Sequence, residues 1–406
     1  MMKKVLIISY HFPPLNVIAS YRALGFAQHL KKYGFLPTVV THSWEGDSVN
    51  LPGNDEFSVI GLSQRNSKSK FHFPHFLIRW TIGQFDNRPE DIASYRVFKE
   101  FLFEFLKKEK IDLLIGIYSP FHHVKLCYEL NKQFKIPYIV DFRDLHDNRI
   151  LSIYPIPYIN KLKNVLVRFY FKRWLRNALF LTATSESWAS YLGKLVNVKG
   201  YQILNGYESE LLNQVTEEPD SNFFLITSMG NLHECQNLEL FYSGLKMFLS
   251  RVEDYESVVK VSFIGVNESY KTNIKDELRR NIDSSILKIQ GRVSKLEAIR
   301  FMKKSYIIVF PNPIGIKGYY TGKIFEYIGI GRPILSFPRN KELDSLLDSA
   351  KNYYSFDSEE GVSDFLFSQF QEWKLGKKNA MHKIPFFFSR EAQARILADH
   401  IRNQLN

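Results

Sequence analysis

Residues 311–335 read PNPIGIKGYYTGKIFEYIGIGRPIL. Lys323 and Glu326 fall in the first turns of a helix predicted to start near Thr321 and to end at Gly331. Backbone amides at a helix N-terminus have no intrahelical partner, and together with Lys323 they would form an anion site suited to a pyrophosphate. Glu326 is an acceptor able to take both hydroxyls of a ribose. The same residues also have a purely structural reading. Thr321 would cap the helix, and Glu326 would favour the positive end of its dipole.

Three other groups could do chemistry. Asp141, Arg143 and Asp144 follow an apolar run, as a strand-end ion-pair network or as charged groups at a site. His11 stands in Ser9-Tyr10-His11-Phe12-Pro13-Pro14, directly after the opening apolar run. His122-His123 has no carboxylate at ligand spacing, so no metal site is expected. The opening strand leads into Pro13-Pro14 rather than G-x-G-x-x-G, and no Walker A sequence occurs, so nicotinamide, flavin and P-loop chemistry are not expected.

The elements that must position these residues are those of two α/β domains. Short apolar runs alternate with helix-period segments, the pattern of a parallel sheet wrapped by helices. Strands are predicted at 5–9, 38–41, 113–117, 138–141, 179–184 and 201–204. A second set is predicted at 224–228, 259–264, 286–290, 307–310, 334–337 and 353–356. Ala23, Phe26, Ala27 and Leu30 recur at helical spacing, with Gly34 beyond them as a C-terminal cap. Ser119-Pro120 predicts a helix start, serine as N-cap and proline at the first position. Residues 1–208 form the first predicted domain, the polar stretch 209–222 a linker, and 223–385 the second domain. A last helix lies within 386–406, capped by Ser389. Segment 63–82 is a basic, aromatic excursion. Ligands of such sheets bind beyond the carboxyl ends of strands, which selects the loops after Ser9, Asp141, Ser228 and Phe310.

Composition agrees with a globular chain of this kind. The 406 residues are 45% hydrophobic and 24% charged, too many for one ordinary core. Cys127 and Cys235 are the only cysteines, which excludes a disulfide framework and a cysteine zinc site. No run approaches the roughly 18 apolar residues of a membrane span, so a cytoplasmic chain is expected, attached to a membrane at most by its surface. The net charge of +12 lies mostly in residues 1–210, which hold 28 Lys and Arg against 18 Asp and Glu. That imbalance suits an anionic partner such as lipid headgroups or a phosphorylated acceptor; nucleic acid is not the expected one.

The run Thr321-Gly322-Lys323-Ile324-Phe325-Glu326-Tyr327, followed by Gly331-Arg332-Pro333-Ile334-Leu335, resembles the donor-site helix of family 4 glycosyltransferases. The resemblance extends to Ser9–Pro14, to the PYIVDFRD stretch of 137–144, to Ala183–Ser187, to Leu204-Asn205-Gly206 and to the last helix. It implies the GT-B fold: two tandem Rossmann-like, doubly wound domains, with the C-terminal helix crossing back to the first. It further implies a retaining, metal-independent transfer from a nucleotide-sugar donor, with no cofactor besides that co-substrate. By the resemblance Glu326 binds the ribose hydroxyls, and Thr321, Gly322 and Lys323 lie by the diphosphate. Arg143, Asp144 and the loop His11–Asn16 face an inter-domain cleft near the donor sugar or acceptor. A GT-B nucleotide-sugar epimerase or hydrolase, or a partner subunit without donor binding, are the alternatives.

Three departures from the family pattern stand out. Gly318 occupies the place of an earlier glutamate, although a subgroup shares this Lys-Gly…Thr-Gly-Lys form. The arginine and lysine that commonly clamp the diphosphate are replaced, in Gly230-Asn231-Leu232-His233-Glu234-Cys235-Gln236, by Asn231 and Gln236. The first loop has Leu15-Asn16-Val17-Ile18 instead of glycines. Lys323, Lys317 and Arg292 are the substitutes expected to neutralise the diphosphate.

Around 160–176 two apolar stripes adjoin on one predicted helix. Leu162, Val165, Leu166 and Phe169 make one, and Val167, Tyr170, Phe171 and Trp174 the other, with Lys161, Arg168 and Lys172 opposite. One stripe can pack on the sheet. The other is either buried too or an interfacial membrane contact. The acceptor expected is a glycan or lipid-linked sugar at the inner face of a membrane.

Overall fold

The computed structural model describes residues 2–15, 17–44, 56–63, 80, 83, 85, 89–145, 157–376 and 384–405. Most of the predicted excursion 63–82, and Asn16 of the first loop, lie outside these. The chain divides into two compact units, residues 1–205 with 390–406, and residues 206–389.

In the first unit β1 (Lys3–Ile8), β2 (Phe35–His42), β3 (Ser58–Leu62), β4 (Leu113–Tyr118), β5 (Tyr138–Phe142), β6 (Leu181–Ala183) and β7 (Gly200–Gln202) form one sheet. Its order is β3-β2-β1-β4-β5-β6-β7, and every pair is parallel. The helices α1 (Ile18–Leu30), α2 (Pro89–Lys108), α3 (His122–Phe134), α4 (Pro157–Leu175) and α5 (Glu186–Val196) accompany it. Val5, Leu6, Ile7 and Ile8 are all fully buried, as a strand covered on both faces requires.

The second unit holds β8 (Phe224–Met229), β9 (Val259–Ile264), β10 (Leu287–Gln290), β11 (Ile307–Pro311), β12 (Ile334–Phe337) and β13 (Tyr353–Ser355), in the order β10-β9-β8-β11-β12-β13. Its pairs are parallel as well. Its helices are α6 (Ser209–Asn213), α7 (Glu239–Leu249), α8 (Tyr255–Val258), α9 (Ile274–Asn281), α10 (Lys295–Lys304), α11 (Lys323–Ile330), α12 (Lys341–Leu346) and α13 (Glu359–Lys374). Phe224, Phe241, Val261, Ile307 and Leu366 belong to one apolar core packed on this sheet. The chain then re-enters the first unit as α14 (Arg390–Leu405). Ala394, Leu397, Ala398 and Ile401 of α14 share a core with Ala23, Phe26, Ala27 and Leu30 of α1.

Four local expectations need correction. β3 was not predicted: Ser58, Val59 and Gly61 are exposed on this edge strand, so it has no continuous apolar run to announce it. Ser119 does not cap a helix; α3 begins at His122, and the carbonyls of Pro120 and Phe121 accept its first amide bonds. Gly34, at φ +86°, ends a short 3-10 turn over Lys31–Tyr33 that follows α1, rather than α1 itself. Residues 209–222 are not a plain linker, because Ser209–Asn213 is helical and Leu212 and Val215 are buried.

Asp141 is buried in the first unit. Arg22 of α1 donates from Nε and Nη2 to its two carboxylate oxygens at 2.6 Å each, and Thr182 Oγ1 donates at 2.5 Å. The remaining guanidinium bonds go to the carbonyls of Ile203 and Leu204 and to Asn205 Oδ1. One ion pair thus ties α1, β5, β6 and the chain's exit from the unit. Among the alternatives open from sequence, Asp141 takes the ion-pair role.

Candidate functional site

In the second sheet β9 and β10 lie on one side of β8, and β11, β12 and β13 on the other. Strand order reverses between β8 and β11, where open parallel sheets leave a crevice beyond the strand ends. Thr321, Gly322, Lys323 and Glu326 of the predicted helix start lie there, and Gly230 and Asn231, of the loop selected after Ser228, meet Lys323.

Gly230 follows β8 at φ +85°, a left-handed conformation suited to glycine, and its amide donates to the Ile264 carbonyl at 2.6 Å. A Cβ on Gly230 would stand 2.7 Å from Lys323 Cε and 2.8 Å from Nζ, so the missing side chain is the space Lys323 occupies. The Lys323 amine donates to the Asn231 carbonyl at 2.6 Å. Enclosure lowers its pKa from 10.5 to about 8, with Glu326 acting in the opposite direction. A cation therefore stands beside the Asn231 carbonyl.

Tyr327 fixes this arrangement. Its buried hydroxyl donates to the Met229 carbonyl at 2.8 Å and accepts from the Met229 amide at 3.2 Å, tying α11 to the end of β8. Burial raises its pKa, so it stays neutral. Its role was missed from sequence, where it stands only as the last residue of the run Thr321–Tyr327.

The structural reading of Thr321 fails. Gly322 occupies the N-cap of α11 with no side-chain cap, and the buried Thr321 hydroxyl has no hydrogen-bond partner. Asn231 Oδ1 is likewise buried and unpartnered. An unsatisfied buried polar atom costs about 1–3 kcal/mol, and two beside an uncapped helix N-terminus fit a polar ligand. Glu326 is in the first turn, where Lys295 of α10 forms an ion pair with it. That partner was also missed from sequence.

Gln236 is not at the site. Its amide turns inward, donating to the Pro311 carbonyl at 2.6 Å and accepting from the His233 amide at 2.9 Å. It holds the post-β8 loop against the end of β11. Gly318 has φ +72°, a left-handed conformation suited to glycine. Lys317 and Arg292 are exposed, the latter just beyond β10.

In the first unit the strand order reverses between β1 and β4. His11, half-buried after β1, lies roughly parallel to Trp44 at 6.1 Å, and Ser9 Oγ donates to its carbonyl at 2.8 Å. Arg143 and Asp144 follow β5 and pair with each other, Nε to Oδ2 at 2.7 Å. His122 and His123 belong to the core. His123 Nδ1 bonds the Ile117 carbonyl at 2.9 Å, and burial, with His122 next to it, lowers its pKa far below 6.5. Among the described residues no group of three or more His, Cys, Asp or Glu is arranged to hold a metal.

Neither a family model nor a curated protein sequence matches this chain. Solved structures do. A sucrose-phosphate synthase from Thermosynechococcus elongatus superposes with a TM-score of 0.64 at 11% identity, covering 99% of this chain and 98% of that one. The E. coli trehalose-6-phosphate structure bound with UDP-2-fluoro glucose gives 0.58 at 12%, covering 100% and 96%. A putative UDP-N-acetylglucosamine 2-epimerase from Listeria monocytogenes gives 0.58 at 12%, covering 99% and 96%. Along nearly its full length, this chain has the two-unit α/β architecture of the GT-B fold.

Proposed function

We propose that the protein is a glycosyltransferase of the family 4 type, which moves a sugar from a nucleotide-sugar donor to a glycan or lipid-linked acceptor at a membrane surface. The observation that carries this reading is the meeting of Gly230, Asn231, Lys323 and the uncapped start of α11 at the β8/β11 switch point. Lys323 and the α11 amides would take the diphosphate, and Glu326 the ribose hydroxyls. Transfer without metal needs protein charge to stabilise the leaving diphosphate, which a helix N-terminus and a lysine can supply. Lys317 and Arg292 could reach the same anion from exposed loops. On the acceptor side the reading assigns His11, Arg143 and Asp144, at the ends of β1 and β5. Retention of anomeric configuration belongs to the same proposal.

The likeness to the Listeria epimerase favours a second reading, epimerisation of the nucleotide sugar. A thermal-shift screen with uridine, guanosine, adenosine and thymidine diphosphate sugars tests the donor site, since a ligand of the native state raises the melting temperature with its concentration over Kd. The absence of any shift would count against both readings. An epimer formed without acceptor would select the second.

A further inference from the structure

Helix α4 has two faces. Val167, Tyr170, Phe171 and Trp174 are buried, and Phe171 and Trp174 meet Phe121 with ring centroids 5.2 and 5.8 Å apart. On the other face Tyr158 is 82% exposed, Leu162 47%, Val165 57% and Phe169 56%. These four recur at i, i+4, i+7 and i+11, and at about 100° per residue they fall within roughly 60° of arc. A row of four large apolar side chains left in water is a contiguous patch, whereas single exposed residues are ordinary.

The borders of this row are basic. Exposed Lys161 and Lys172 flank one edge, rather than lying opposite as expected from sequence, and exposed Arg173 flanks the other. The helix carries five Lys and Arg and no Asp or Glu. A second copy of this chain would have to bring the same basic helix into a self-complementary contact, like charge facing like. An anionic bilayer instead satisfies both features, taking the apolar row below its headgroups and the cations among them.

We propose that α4 lies in the interface of an anionic membrane, with Tyr158, Leu162, Val165 and Phe169 inserted and Lys161, Lys172 and Arg173 on the lipid phosphates. This deepens the membrane-surface part of the proposed function and rests on it for biological purpose. It uses a surface distinct from the donor residues, so the two can fail separately.

The test is co-sedimentation of the full chain with vesicles of phosphatidylcholine alone or with about a third phosphatidylglycerol. Each basic residue near such a surface contributes about fivefold in affinity. Binding should therefore require the anionic lipid, weaken with salt, and fall about 100-fold in Lys161→Glu/Lys172→Glu/Arg173→Glu. Leu162→Ser/Val165→Ser/Phe169→Ser should lose the salt-resistant remainder while nucleotide binding, read in parallel, stays unchanged. Amide exchange in vesicle-bound wild type should be slowed in residues 158–172. Wild type that ignores anionic vesicles at low salt would overturn the proposal. So would vesicle binding that both triple variants retain, or a wild-type dimer in vesicle-free solution that the serine variant abolishes.

Discussion

The amine of Lys323 lies 2.6 Å from the carbonyl of Asn231, in the space left by the absent side chain of Gly230. A lysine from the start of α11 thereby faces the end of β8, where a diphosphate would be held by both elements.

Protonation of Lys323 should govern donor affinity. With a pKa of about 8 in the free protein, it is cationic below that pH and neutral above. His233 nearby does not gain or lose charge around pH 8, because burial and Lys323 both lower its pKa from 6.5, while Glu326 opposes the loss of the Lys323 charge. Affinity for a nucleotide sugar should be level below about pH 7 and decline as pH rises through 8. In Lys323→Met it should be at least ~10-fold weaker at pH 7, from loss of one charge-assisted bond worth roughly 1.5–3 kcal/mol, and flat with pH. The free variant should melt higher than wild type at pH 7. A lowered lysine pKa gives stability that is full above 10.5 and lost as pH falls through 8. Titrations at several pH values and melting curves check both effects.

Gly230→Ala should mimic the loss of Lys323. The new Cβ would be 2.8 Å from Nζ at φ +85°, so the amine must leave its carbonyl and the turn is strained. The expected outcome is nucleotide binding weakened about 10-fold or more, with the circular dichroism spectrum retained. Wild-type affinity in this variant would show that the Gly230–Lys323 contact has no part in binding.

The Arg22–Asp141 pair is expected to matter for stability alone. Breaking one side of a buried ion pair costs about 3–5 kcal/mol. Arg22→Met should therefore lower the urea midpoint markedly, whereas Arg22→Met/Asp141→Leu should recover part of the loss. Nucleotide affinity of the folded fraction should not change.

Transfer should persist in excess chelator, since Lys323 and the α11 amides carry the charge stabilisation in the proposed site. Activity abolished by chelator and restored by Mg²⁺ or Mn²⁺ would assign that work to a metal.

Much of this architecture was legible in the sequence, and the exceptions have physical causes. Buried parallel strands such as Val5–Ile8 read as apolar runs because both faces are covered. Edge strand β3 is half exposed and carries no such run. Lys323 and Glu326 were placed in the first turns of a helix because helix starts and charge have local signatures, and α11 begins there. Tyr327 and Lys295 were missed because their partners, Met229 and Glu326, lie 98 and 31 positions away. No periodicity reports a contact over such separations. Gln236 looked like a replaced clamp residue; its inward turn onto Pro311 depends on the fold of the loop.

The most direct measurement is a calorimetric titration of wild type and Glu326→Ala with the nucleotide sugar that gives the largest thermal shift. Two charge-assisted hydrogen bonds to a ribose, roughly 1.5–3 kcal/mol each, make a loss of at least ~10-fold the expected result, with the fold and melting transition intact. Equal affinity in the two proteins would contradict the account, and would place the nucleotide away from the first turns of α11.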